Sequence, residues 1–177
     1  MTNPNPAVDS STAIYRVQAG TGKRILVSDF NDIAQGVVAG NFAGIGLAVG
    51  RSGQILVNTV ASDVDSPVIL RVDPKTGQRT ILSNFDDSSQ GPLGDGLSGL
   101  AVERSNTILV GAFKLPIVTY EHSLFRVNPK TGRRIVLSDT NNVAQGPSIG
   151  AIAYITVVPG DRSVDVQETE DADTDDN

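Results

Sequence analysis

The 177-residue chain contains no cysteine and no tryptophan, one histidine, one methionine and only 5% aromatic residues. Without cysteine there is neither a disulfide framework nor a thiolate metal site, so packing must supply the stability. The lone His122 excludes a histidine-based zinc cluster; with no evident nucleophile it is expected at the rim of the fold. No apolar run approaches the roughly 18 residues that cross a bilayer, and the longest, residues 151–158, is the size of a strand. The first residues lack both a basic start and an apolar stretch, so no secretory signal is read and the default expectation is cytoplasmic.

A basic excess is missing too. Of the 20 Asp and Glu, eight lie in residues 161–177 beside a single Arg162, which leaves 12 acids against 13 of the 14 Lys and Arg in residues 1–160. The low pI therefore belongs to the tail, and a nearly neutral body argues against nucleic acid as a partner. Residues 1–12 are expected to be a flexible segment and 167–177 an acidic disordered tail.

What the chain does have is repetition. Ile14-Tyr15-Arg16-Val17, Ile69-Leu70-Arg71-Val72 and Leu124-Phe125-Arg126-Val127 recur at an interval of 55, as do Gly22, Gly77 and Gly132, then Ser28, Ser83 and Ser138, then Gln35, Gln90 and Gln145. Each apolar run breaks at a turn such as Asp73-Pro74-Lys75-Thr76-Gly77 and resumes. Proline sets φ and glycine supplies a positive φ, so the flanking strands should pair antiparallel. Two further strands follow, Gly46-Leu47-Ala48-Val49 with Ile55-Leu56-Val57 and Gly99-Leu100-Ala101-Val102 with Ile108-Leu109-Val110; the third copy resumes at Gly150-Ala151-Ile152-Ala153.

The expected fold is all-β: four-stranded antiparallel sheets of β-propeller type, three blade-equivalents over residues 13–166. The parts are a half-blade at 13–30, blades at 44–85 and 97–139, and a half-blade at 149–166. The order Gly-Leu-Ala-Val, Gly-x-Ile-Leu-Val, Leu-x-Arg-Val-Asp-Pro resembles the NHL-type and gluconolactonase-like β-propellers, in which these are the inner, second and third strands. Propellers close with roughly four to eight blades. The two half-blades are complementary, so a homodimer closing a six-bladed ring is expected; a piece of a larger propeller is the other reading.

The loops leaving the fourth strand carry clustered oxygen donors: Asp29, Asp32 and Gln35; Asp86, Asp87 and Gln90; Asp139, Asn141 and Gln145. They are the expected ligand- or partner-binding face, another protein being one such partner. Asp32, Asp86 and Asp87 are calcium candidates, although Asp and Asn also favour such turns by bonding their own backbone, and no other cofactor is indicated. The three Gln-Gly pairs read as loop-fixing hydrogen bonders or as an amide ring at a channel mouth. Lys23, Arg24, Lys75, Arg79, Lys130, Arg133 and Arg134 should make the opposite face basic, while Arg16, Arg71 and Arg126 are expected to repeat one contact between blades.

The resemblance to gluconolactonase-like enzymes implies metal-holding carboxylates and amides at the inner-strand starts. Here those positions are Ile45-Gly46, Ser98-Gly99 and Ile149-Gly150, with Asp95 the only acid close by. Three function classes follow: a non-catalytic binding or scaffold module, which the residues favour; a metal-dependent lactonase- or lyase-like enzyme; and a structural assembly subunit.

Overall fold

The computed structural model describes residues 13–39, 46–115, 121–158 and, for its backbone alone, 164–167. The expected flexible segment at 1–12 and the acidic residues from Glu168 onward lie outside the described residues, as does Ile45.

Strands β1 (Ala13–Val17) and β2 (Arg24–Asp29) form sheet I. Sheet II holds β3 (Leu47–Val49), β4 (Ile55–Ala61), β5 (Ser66–Val72) and β6 (Arg79–Asn84); sheet III holds β7 (Gly96–Val102), β8 (Ile108–Lys114), β9 (Glu121–Val127) and β10 (Arg134–Asp139). Sheet IV pairs β11 (Tyr154–Val157) with β12 (Val164–Gln167). Every pairing between these strands is antiparallel and joins neighbours in the chain, as the hairpin signature requires. Among the described residues the helical structure is two 3-10 turns, Ile33–Gln35 and Ser88–Gln90; no helix is long and apolar enough to cross a membrane.

The turn glycines do what their spacing predicts. Gly22, Gly77 and Gly132 sit at φ of 66°, 74° and 70°, each donating to the carbonyl four residues back. The Asp73 carboxylate and the Asn128 amide oxygen accept from the two amides that follow in their turns, and those bonds hold the Asp73 carboxyl below its usual range.

Both faces of the central sheets are buried, so β4 and β8 read as apolar runs rather than alternating ones. Val57, Leu70 and Val72 face sheet I with Ile14 and Phe30, whereas Leu56, Ile69, Leu82 and Phe85 face sheet III with Leu100, Val110, Phe125 and Val127. Ala101, Leu109 and Leu124 then meet Ile152 and Ile155. The sheets are therefore stacked face to face in chain order. Each fully buried aliphatic or aromatic side chain contributes roughly 1.5–3 kcal/mol.

The first strands approach closely. A Cβ on Gly46 would collide with Leu100, and one on Gly99 with the Tyr154–Ile155 backbone. Buried Asn58 joins these strands, accepting from Gly46 N and donating to the Ser98 carbonyl. The first strand of sheet IV is Tyr154–Val157, shorter and later than the apolar run 151–158: Ala151–Ala153 is irregular, and Ile152 packs inward.

Candidate functional site

A bulge recurs in the last hairpin of each of the first three sheets. Pairing skips Val27, Leu82 and Leu137, one residue before Ser28, Ser83 and Ser138. The bulge presents its carbonyl to the next sheet: Gly77 lies against the Val27 oxygen and Gly132 against that of Leu82, so closely that neither could carry a Cβ. Ser28 Oγ donates to Gly77 O and Ser83 Oγ to Gly132 O, both at 2.8 Å.

Two residues beyond Gly77 and Gly132, an arginine opens the fourth strand of sheets II and III and reaches back into the loop that leaves the preceding sheet. Arg79 Nε donates to Val37 O at 2.7 Å, Nη1 to Ser28 Oγ at 2.8 Å and Asp29 O at 2.6 Å, and Nη2 to Asp32 O at 2.8 Å and Gly36 O at 3.2 Å. Arg134 repeats this with Pro92 O, Ser83 Oγ, Asn84 O, Asp87 O and Gly91 O at 2.7–3.3 Å. The guanidinium carbons lie over Phe30 at 4.9 Å and Phe85 at 4.4 Å from the ring centroids. Burial lowers the pKa of both arginines, partly offset by Asp32, Asp29 and Asp63 for the first and by Asp87 and Asp86 for the second. Each socket is thus a cage of carbonyl oxygens closed by an aromatic ring.

These two arginines correct the expected basic face. At 2% and 3% exposure they belong to the interior, and among the basic residues named above the exposed ones are Lys23, Arg24, Lys75, Lys130 and Arg133. The other arginine series does not repeat one contact either. Arg71 Nη2 crosses to Pro129 O of the next sheet at 2.5 Å, Arg126 pairs with Glu103 at 2.8 Å, and Arg16 is exposed.

The loop residues singled out in the sequence are gathered loop by loop. Asp29, Asp32 and Asp139 accept through Oδ1 from the amides of Asn31, Ala34 and Asn141, and Asp87 from Ser89 N, all at 2.9–3.0 Å. Asp86 N donates to Asn84 Oδ1, leaving its carboxylate exposed. The bond from Ser89 lowers the Asp87 pKa, with help from Arg134. Gln35, Gln90 and Gln145 each accept at 2.8 Å from the amide six residues earlier, the loop-fixing role, and Gln35 Oε1 also receives Arg79 Nη1. Among the described residues no three acidic or histidine side chains converge as a metal site.

Asp139 and Asn141 also line a cleft of about 300 Å³ beside Pro92, Phe113 and Phe125, with Lys114 and Glu121 supplying both signs of charge. His122, behind it, is buried rather than at the rim: its ring lies 5.6 Å from that of Phe113, and its carbonyl accepts from Thr140 Oγ1. Burial lowers its pKa. Below about pH 6.5 the unfolded chain takes up a proton that the folded chain refuses, so stability falls as pH drops from there toward the depressed folded value. Melting temperature should decline as pH falls below about 6.5, with His122→Gln flattening that limb; an equal slope in the variant would assign it to other groups. Loss of the Asp73 and Asp87 contributions begins lower, as pH falls below about 4.

No protein-family model matches the chain, and no curated protein matches it.

Proposed function

We propose that the chain is a non-catalytic scaffold or binding module of β-propeller type, its stacked sheets serving as blades about an axis lined by β3, β7 and β11, with a ring of six completed by a second copy. One observation carries this reading: the polar loops from which a catalytic or metal site would be built are spent on locking one sheet to the next. Asp29, Asp32 and Gln35 shape the cage around Arg79, and Asp87 and Gln90 the cage around Arg134. The same economy meets the enzyme alternative at the inner-strand starts, where the amide of Asn58 already serves Gly46 and Ser98. The resemblance to NHL-type propellers agrees with close packing at Gly46 and Gly99. A partner would meet the exposed acids Asp32, Asp86 and Asp139, and a small ligand would enter the adjoining cleft.

Thermal melts in calcium and in chelator test the division of labour in these loops. The two curves should coincide, since an ion that binds only the folded state raises its stability. A rise of several degrees in calcium would replace the scaffold reading with the metal-dependent one.

A further inference from the structure

Arg24 opens β2 at the position where Arg79 opens β6 and Arg134 opens β10, yet it is exposed. Beside it Gly22, the counterpart of Gly77 and Gly132, has nothing within 4 Å of where a Cβ would stand. At the other end of the stack the loop after β10 is folded like a socket: Gln145 Oε1 accepts from Asp139 N, Asn142 Oδ1 accepts from Ala144 N, and Gly146 keeps φ 141°. Gly36 and Gly91 share this positive φ, and a Cβ there would strike the Arg79 or Arg134 carbonyl oxygen, whereas one on Gly146 would meet nothing within 4 Å among the described residues. Among the described residues, one end thus has the arginine without its cage and the other the cage without its arginine.

The apolar faces divide in the same way. Leu70, Val72, Phe125 and Val127 are 0–3% exposed, while Tyr15 and Val17, at the matching positions of β1, are 42% and 58% exposed. So do the strand edges. In sheets II and III the second strand pairs with the third, but β12 pairs only with β11, and β1 only with β2, among the described residues.

We propose that a second copy of this chain fills both vacancies at once, its β1–β2 hairpin continuing sheet IV from β12 and its Arg24 entering the socket after β10. This rests on the scaffold reading above. By the register seen twice within the chain, Arg24 of one copy donates to Ser138 Oγ and to the carbonyls of Asp139, Asn142, Gly146 and Pro147 of the other. Tyr15 pairs with Val166, as Phe125 does with Val110, and covers Leu124 and Leu137. Thr140 stands where Phe30 and Phe85 lie under their arginines, so this intermolecular latch lacks the ring. The chain's own Arg24 is not at the socket, with sheets II and III between them.

Mass in solution tests it on the full chain. Wild type should run at twice 18.5 kDa, and Arg24→Glu should weaken dimerisation by at least about 100-fold with an unchanged circular dichroism spectrum, since Arg24 is exposed within its own chain. In this cysteine-free background, Tyr15→Cys with Val166→Cys should form an intermolecular disulfide on oxidation that neither single variant forms as efficiently. A wild-type mass of 18.5 kDa at high micromolar concentration overturns the proposal. So does a dimer that survives Arg24→Glu without the cross-link, an outcome that leaves the scaffold reading standing because that reading fails on calcium dependence instead.

Discussion

Replacing Arg79 with alanine should cost about 1.5–5 kcal/mol of folding free energy, from buried acceptors that lose their donor at about 1–3 kcal/mol and a cation–π contact worth about 0.5–2 kcal/mol. The guanidinium meets the carbonyls of Asp29, Asp32, Gly36 and Val37 and the hydroxyl of Ser28. Alanine would take the donor from the Gly36 and Val37 carbonyls and from Ser28 Oγ where the arginine itself is 2% exposed, while the Asp29 and Asp32 carbonyls keep the amides of Asp32 and Gln35. It would also remove the cation lying over Phe30. Lysine offers no remedy, because one ammonium with three donors cannot reproduce a planar fork whose bonds run in several directions; Arg79→Lys should retain less than half of the lost stability. Urea titration is the measurement, with the midpoint falling and the slope unchanged. A loss below about 1 kcal/mol would mean that water takes over the carbonyls and that the cage holds little.

Gly132→Ala should be nearly as damaging, and for a different reason. At φ 70° an alanine is disfavoured by about 1–2 kcal/mol. Its Cβ would also run into the Leu82 carbonyl, the bulge oxygen on which the turn rests, adding an overpacking cost of about 1–3 kcal/mol. Gly53 separates the two contributions: it has φ 80° with open space around it, so Gly53→Ala carries the backbone cost alone, about 1–2 kcal/mol. Equal losses at the two sites would show that sheet III does not depend on a close approach at this turn.

Much of the architecture could be read from intervals. An exact recurrence of turn glycines, paired with apolar runs too short for helices, leaves antiparallel hairpins as the solution, and these are the hairpins observed. The Asx turns in the loops were legible for the same local reason, since Asp29, Asp32, Asp87 and Asp139 each bond an amide two residues on. Arg79 and Arg134 were misplaced because charge beside a turn is ordinarily solvated, and their partners lie 42–51 residues back, beyond any periodicity. A signal was nonetheless present: Arg24, Arg79 and Arg134 keep the same interval as Ser28, Ser83 and Ser138. An invariant charged residue at a strand start, locked in phase with a small hydroxyl, marks a buried pair. Asn58 left no such trace, because the corresponding position in sheet III is Gly111, with Ile152 and the Ser98 side chain close beside it.

The direction of the arginine latch imposes an order on biosynthesis. Each cage is made by one sheet and filled from the next, so the loop at residues 28–37 emerges from the ribosome some tens of residues before the cation that organises it. At about 5–20 residues per second that interval lasts seconds, long compared with the microseconds a hairpin needs to form. The nascent chain therefore carries one unfilled cage at its growing end, handed forward with every sheet completed.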